Sequence, residues 1–284
     1  MQSRDSGKLP MQGMVTKWAG QDFRYLKITG STNDDCRQFL QEGAPHGVTV
    51  VAGQQLSGKG RRGRSWSSPP GESIYMSIGL VPEFAPDRAS MLTLVMALAV
   101  CRALEDCAGE TGELQTRSET LNADRAQIGI KWPNDIVIEG RKVCGILTEM
   151  HLAKDMIEDV VIGVGINIGR TEFEDEIKET ATSISFEENM ADHKESLVKA
   201  VLSYFEYYYE KFVEKCDMSA IMGEYDRKMV NKGREVSVLD PKGEYRGTAL
   251  GIDEMGQLLV RKNDGTVETV YAGEVSVRGI YGYV

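Results

Sequence analysis

Apolar residues fall into short runs over the first eighty positions, one long run from Met91 to Val100, and regular short alternations after Gly233. Short runs rich in β-branched and aromatic residues, bounded by turn formers, predict strands. They cover Phe23 to Ile28, Val48 to Ala52, Ile74 to Leu80, Ile128 to Trp132 and Val160 to Ile168. Ile136 to Ile138 and Val143 to Met150 are expected to pair across Glu139-Gly140-Arg141 as a hairpin. Ser31 with Asp34 three residues on matches a capping box and predicts a helix ending near Gly43. Pro86-Asp87 opens a second helix to about Asp106, apolar nearly all round and therefore buried. Helices are predicted at about 192–215 and 217–229. In the first, Leu197, Val201, Leu202, Phe205 and Tyr208 recur at helical spacing and form a core stripe.

Between these elements the pattern weakens. Residues 1–20 are polar and read as a tail. Residues 108–126, rich in Gly, Glu and Thr, read as an exposed connection, long for a compact domain. Residues 170–182 are acidic and polar, and are expected to be a mobile loop that orders on ligand binding. After Gly233 the runs Val236–Leu239, Tyr245–Ile252, Leu258–Val260, Val267–Tyr271 and Val275–Val277 are separated by Lys242-Gly243, Met255-Gly256, Asp264-Gly265 and Ala272-Gly273. Turns at that spacing predict a small β-barrel. The expected organisation is a tail over 1–20, a larger domain over 21–230 and a small β domain over 231–284.

The length of 284 residues agrees with two domains, and 41% hydrophobic with 27% charged residues describes an ordinary soluble protein. A formal net charge of −10 argues against broad nucleic-acid binding, which calls for a basic face. The five cysteines (36, 101, 107, 144, 216) are odd in number and form no C-x-x-C, so neither a disulfide framework nor a zinc site is expected, and a reducing cytoplasm fits. The three histidines (46, 151, 193) are too scattered for a metal cluster or a His-based triad, so no protein-held metal is expected. The N-terminus lacks the apolar core of a signal peptide, and Met91–Val100 is too short to span a bilayer before Arg102 intervenes.

Against that acidic background stands one basic stretch, residues 53–66, Gly-Gln-Gln-Leu-Ser-Gly-Lys-Gly-Arg-Arg-Gly-Arg-Ser-Trp. Lys59, Arg61, Arg62 and Arg64 fall within six residues, interleaved with Gly58, Gly60 and Gly63. Glycines let successive N–H groups form an anion-cradling nest, and arginines add forked donors for phosphate or carboxylate. The stretch overlaps two stock phosphate motifs and is neither. Gly60 stands where a P-loop needs Ser or Thr, and Ser67-Ser-Pro-Pro-Gly71 cannot be the helix that a dinucleotide fingerprint requires. It reads as a loop closing over an anionic ligand, with a plain solvated loop as the alternative. Lys131-Trp132-Pro133-Asn134-Asp135 places a lysine at a strand end beside a rigid turn; the alternative is a solvated lysine and a structural turn. On spacing alone, Ser31 and Asn33 read as helix capping. Gly163, Gly165 and Asn167 interrupt a strand, which suggests a bulge or something packed closely on the backbone.

Taken together, Ser31-Thr32-Asn33, the loop from Gln55 to Trp66, Lys131 to Asp135, Arg141-Lys-Val-Cys-Gly145 and Gly163-Val-Gly-Ile-Asn167 occur in an order and spacing that resembles the biotin–protein ligases, from about residue 23 to the C-terminus. The resemblance implies an α+β fold: a mixed-sheet, class II synthetase-like catalytic domain with an SH3-like C-terminal barrel. It implies biotin contacts at Ser31, Thr32, Asn33, Gln55, Gly58, Lys59, Gly60, Arg61, Lys131, Gly145 and Gly163. Nucleotide contacts are implied at Lys59, Arg61, Arg62, Arg64, Trp66, Asn134, Lys142 and Asn167. Lys131 and Arg61 are the implied catalytic residues, lowering the repulsion between two anions. Lys59 stands where many relatives carry Arg, which keeps the charge and loses the fork. The cofactors implied are biotin, ATP and Mg²⁺, and the implied partner is a biotin carboxyl carrier domain of a carboxylase. The segment after Gly169 resembles an adenine-covering loop, with Phe173 its one aromatic. Three other readings stand beside this one: a lipoate–protein ligase of the same fold, a biotin-responsive repressor, and a plain binding module. About 22 residues precede the first strand, too few for a winged helix, so no DNA binding is expected. Monomer and homodimer are both open.

Overall fold

The computed structural model describes residues 13–111, 113–116, 120–122, 127–170, 172–186, 190–239, 243–272 and 276–279. Its larger sheet is built from β1 (Phe23–Leu26), β2 (Thr49–Ala52), β3 (Ser73–Leu80), β6 (Ile128–Lys131), β7 (Asp135–Ile138), β8 (Arg141–Ala153) and β9 (Met156–Asn167). The strand order is β1-β2-β3-β9-β8-β7-β6. Only β1 and β2 run parallel, joined by the crossover helix α1 (Thr32–Gln41); every other neighbour is antiparallel, so the sheet is mixed. The predicted strands are all present.

β3 is buried along its whole length, because α1 packs a small cluster around Cys36, Phe39, Val50 and Val161 while α2 (Leu92–Thr111) and α3 (Met190–Val213) pack the main core. Apolar burial of this kind is the dominant favourable term in folding. The long apolar run at Met91–Val100 is therefore a core helix. Among the described residues no helix is long and apolar enough to cross a membrane.

Four expectations change. Pro86–Met91 is a 3₁₀ turn, with the α-helix starting only at Leu92. The described part of the 108–126 connection is not structureless: β4 (Glu113–Thr116) pairs with β5 (Thr120–Asn122) and with the distant β10 (Ile184–Ser185). A two-residue strand far along the chain gives no local signal for that pairing. Ser31 is the N-cap residue of α1, but its hydroxyl makes no capping bond, and Asp34 pairs with Lys59 instead of closing a capping box. Residues 1–12 lie outside the described residues, whereas residues 13–20, expected as part of the tail, dock on α3. The Glu206 carboxylate accepts the backbone N–H groups of Lys17, Trp18 and Ala19 at 2.8, 2.8 and 3.0 Å.

α4 (Met222–Lys228) leads into a second, five-stranded antiparallel sheet. It is formed by β11 (Glu235–Leu239), β12 (Tyr245–Ile252), β13 (Leu258–Arg261), β14 (Val267–Val270) and β15 (Ser276–Gly279), in the order β14-β13-β12-β11-β15. Trp132 locks the two sheets together. Its backbone N–H reaches Asn231 Oδ1 at 2.9 Å and its Nε1–H reaches Gly256 O at 3.1 Å, both fully buried.

Candidate functional site

The N-terminus of α1, the basic loop, and the paired glycine strands β8 and β9 line a cleft. Its closed end is polar. Gln55 Oε1 accepts from Thr32 N at 2.9 Å and from Thr32 Oγ1 at 3.0 Å, while its Nε2 donates to Ser68 Oγ at 3.0 Å. Ser77 Oγ lies 2.7 Å from Thr32 Oγ1 and 2.6 Å from Asn33 Oδ1, and Asn33 Nδ2 donates to Glu149 Oε2 at 2.6 Å. The helix start thus presents Ser31, Thr32 and Asn33 to the cleft.

The strand glycines are explained by close approach. A Cβ at Gly163 would strike the Asn33 amide, and one at Gly145 or Gly165 would come within 2.8 or 2.6 Å of the Trp66 indole. Trp66 therefore lies flat across the two strands. We expect Gly165→Ala to push the indole off and weaken binding of the cleft's ligand about tenfold, the scale of a modest overpacking penalty. Calorimetric titration with the cleft's ligand alongside a thermal melt checks this; unchanged affinity would mean that Trp66 need not rest there.

The basic loop is pinned at several points. A short 3₁₀ turn, Arg61–Gly63, contains Arg62 at φ 58°, and the loop closes through Trp66 N to Gly58 O at 2.8 Å. Lys59 Nζ pairs with Asp34 and lies 3.7 Å from Glu149 Oε1. Burial opposes the Lys59 charge, but Asp34 and Glu149 outweigh it and hold its pKa above the ordinary value. Arg61 donates from Nη1 to Asn134 Oδ1 at 2.8 Å and from Nη2 to the carbonyl of Ala272, beyond β14. Asn134 is fixed in turn by donating Nδ2 to Ile146 O at 3.0 Å. Burial lowers the Arg61 pKa, partly offset by Asp135; a guanidinium stays charged regardless. Lys142 Nζ sits 5.3 Å from the Trp66 ring and 2.6 Å from Asp135 Oδ1.

Of the residues singled out in the sequence, Ser31, Thr32, Asn33, Gln55, Lys59, Gly60, Arg61, Trp66, Asn134, Lys142, Gly145 and Gly163 line this cleft. Gly58, Arg62, Arg64, Lys131 and Asn167 do not. Gly58 is buried, with no room for a Cβ between Trp66 O and Ser68 Oγ; Arg62 and Arg64 are exposed. Lys131 is buried at the end of β6, opposite Asp135 in register. Asn167 is buried at the end of β9, donating to Thr182 O at 3.1 Å, while its Oδ1 has no hydrogen-bond partner. Residues that sequence reasoning passed over are Ser77, Glu149, Met76, Ile146, Leu147 and Val164. A serine inside the apolar run of β3 was the one available signal.

Among the described residues no group of three or more His, Cys, Asp or Glu side chains could hold a metal. The carboxylates beside the cations of the cleft are Asp34 and Glu149 at Lys59 and Asp135 at Lys142, each already facing an ammonium. That donor set offers a divalent cation no protein cage, and fits an ion carried mainly by substrate phosphates. The whole arrangement suits a ligand with a hydrogen-bonding head at the closed end and anionic groups toward Lys59, Arg61 and Lys142.

Comparison with known proteins identifies the family. Residues 25–167 match the biotin/lipoate A/B protein ligase family and residues 233–278 the biotin protein ligase C-terminal domain. The bifunctional ligase/repressor BirA of Bacillus subtilis is 32% identical over 93% of this chain, which covers 77% of that protein. The biotin–[acetyl-CoA-carboxylase] ligase of Mycobacterium tuberculosis is 30% identical, with 90% of each chain covered. The biotin protein ligase of Aquifex aeolicus, solved in complex with biotin and ATP, superposes with a TM-score of 0.70 at 30% identity, covering 91% of this chain and 99% of that one. The chain therefore belongs to the biotin/lipoate A/B protein ligase family, among its biotin protein ligases.

Proposed function

We propose that this enzyme joins biotin to a lysine of a biotin carboxyl carrier domain in two steps. In the first, a carboxylate oxygen of biotin attacks the α-phosphorus of ATP; the bond to the β-phosphate oxygen breaks, pyrophosphate leaves, and biotinyl-5′-adenylate remains. In the second, the acceptor lysine Nζ attacks the carbonyl carbon of that anhydride; the bond to phosphate breaks, AMP leaves, and the amide nitrogen gives up its proton to solvent. Mg²⁺, carried on the triphosphate, would supply charge neutralisation. The chain's own contribution is to hold two anions together: Arg61 and Lys131 offset their repulsion, and Lys59 and Lys142 flank the path. Trp66 packs on Gly145 and Gly165 in the wall of the cleft.

The observation that carries biotin over lipoate is the closed end of the cleft. Thr32, Asn33, Gln55 and Ser77 form a connected polar network there. A ureido ring can exchange hydrogen bonds with such groups, whereas a dithiolane has neither an N–H nor a carbonyl to offer them. The five cysteines are all free and fit a cytoplasmic enzyme. DNA binding forms no part of this reading, in line with the net charge of −10.

The test is pyrophosphate exchange into ATP, driven by biotin, by lipoate, or by neither. Biotin alone is expected to drive it. Exchange with lipoate would overturn the assignment of the closed end, and no exchange with either would overturn adenylation itself.

A further inference from the structure

Arg170 belongs to none of the sequence motifs and does not line the cleft, yet its guanidinium is only 7% exposed. Burying such a group is costly unless its donors are met. Its partners come from two separate stretches of chain. Nη2 donates to Ser67 Oγ at 3.2 Å, at the end of the basic loop, and to both carboxylate oxygens of Glu174 at 3.1 Å. Nε donates to Glu172 O at 2.8 Å, and the guanidinium lies 4.6 Å from the centroid of the Phe173 ring. The Glu174 carboxyl is held below its usual range, by its own backbone N–H first and then by Ser67 and Arg170.

These contacts close a circuit. Ser67 follows Trp66, the indole lying across Gly145 and Gly165. At the far end of the 172–182 segment, Lys142 N donates to Thr180 O at 2.7 Å and Thr182 N to Lys142 O at 2.8 Å, while the Lys142 ammonium sits over the Trp66 ring. The loop and the segment after Gly169 are thus fastened to each other twice, once through Lys142 and once through Arg170. The Lys142 fastening runs along a strand. The Arg170 fastening runs through side chains and forms only when both segments are in place.

We propose that Arg170 is a positioning residue coupling closure of the basic loop to the seating of residues 172–182, so that biotin and nucleotide strengthen each other's binding. The inference rests on the ligase reading, and coupling of this kind is reciprocal by thermodynamic necessity. Arg170 touches neither substrate in this account; it acts through Ser67 and Glu174.

The experiment is calorimetric titration of biotin without and with saturating α,β-methylene-ATP, for the wild type, Arg170→Ala, Ser67→Ala, the double variant and Arg170→Lys. The wild type is expected to bind biotin about tenfold more tightly when the nucleotide analogue is present, within the usual range of coupling. Either alanine variant should bring that ratio close to one while biotin alone binds within about threefold of wild type. The double variant should be no worse than the singles, because both break one link. Arg170→Lys, with charge but no fork, should recover part of the ratio. In kinetics the KM for ATP should rise with kcat nearly unchanged. Ser67 is exposed, so its variant keeps the question open if Arg170→Ala folds poorly. Wild-type coupling in Ser67→Ala, or equal loss of both binary and ternary affinity in every variant, would overturn the proposal. Tight binding of both ligands to the wild type with no mutual effect would also overturn it, leaving the ligase reading intact; failure of the wild type to bind biotin at all would remove the ligase reading itself.

Discussion

Lys131→Ala is expected to lower biotin-driven pyrophosphate exchange by about 10²–10³-fold, the scale for losing one preorganised electrostatic contact. The lysine is buried at the end of β6, and the turn that follows carries Asn134 into the wall of the cleft. An ammonium in that position gives up much of its hydration, which strengthens its pull on any anion that arrives. Lys131 lies outside the cleft lining, so its charge is expected to act on the reacting groups through its field, from behind the wall that Asn134 forms. The loss is therefore expected in the rate of adenylation more than in biotin affinity, because the repulsion being offset peaks as the two anions meet. Truncating a buried side chain also leaves a void, so Lys131→Met, which keeps the stem and removes the charge, is the companion variant. Both should lose exchange to a similar degree while Lys131→Met keeps the wild-type melting temperature. A near-wild-type rate in Lys131→Met would take this lysine out of the chemistry.

What could be read from the chain ahead of its structure was whatever depends on near neighbours in sequence. The strands announced themselves through β-branched runs. Gly163 and Gly165 announced a close approach, although the groups that approach, Asn33 and Trp66, could not be known. The contacts that define the cleft join distant positions. Ser77 meets Asn33 across 44 residues, Asn33 meets Glu149 across 116, and Arg61 meets the Ala272 carbonyl across 211. The last of these is a backbone group, and no residue type at position 272 advertises it. The failed capping box has the same origin. Asp34 is well spaced to reach back to Ser31, but Lys59 offers it a full charge, and a charge-assisted hydrogen bond is roughly twice as strong as a neutral one. The β4–β5 hairpin was hidden for a related reason, since its partner β10 is two residues long and its own composition is polar.

Arg61→Ala is expected to cost about 10²-fold in the same exchange assay, at the lower end of the range for one electrostatic contact. Its guanidinium is the point where three parts of the fold converge: the basic loop that bears it, the turn carrying Asn134, and the chain beyond β14 at Ala272. Only a fork can meet both acceptors and still offer donors to a ligand, so Arg61→Lys should recover a minor part of the loss. Asn134→Ala removes one of those acceptors and frees Ile146 O as well, and should weaken exchange by less than Arg61→Ala, since the cation remains. Burial lowers the Arg61 pKa, but a guanidinium remains charged throughout the physiological range, so no step in the pH profile near neutrality should vanish with it. Trypsin offers a second readout. If Arg61 is what pins the loop to the remainder of the fold, Arg61→Ala should be cut faster at Lys59, Arg62 or Arg64 than the wild type in the absence of ligand. Wild-type exchange in Arg61→Lys would mean that charge alone suffices and that the seat between Asn134 and Ala272 is incidental to catalysis.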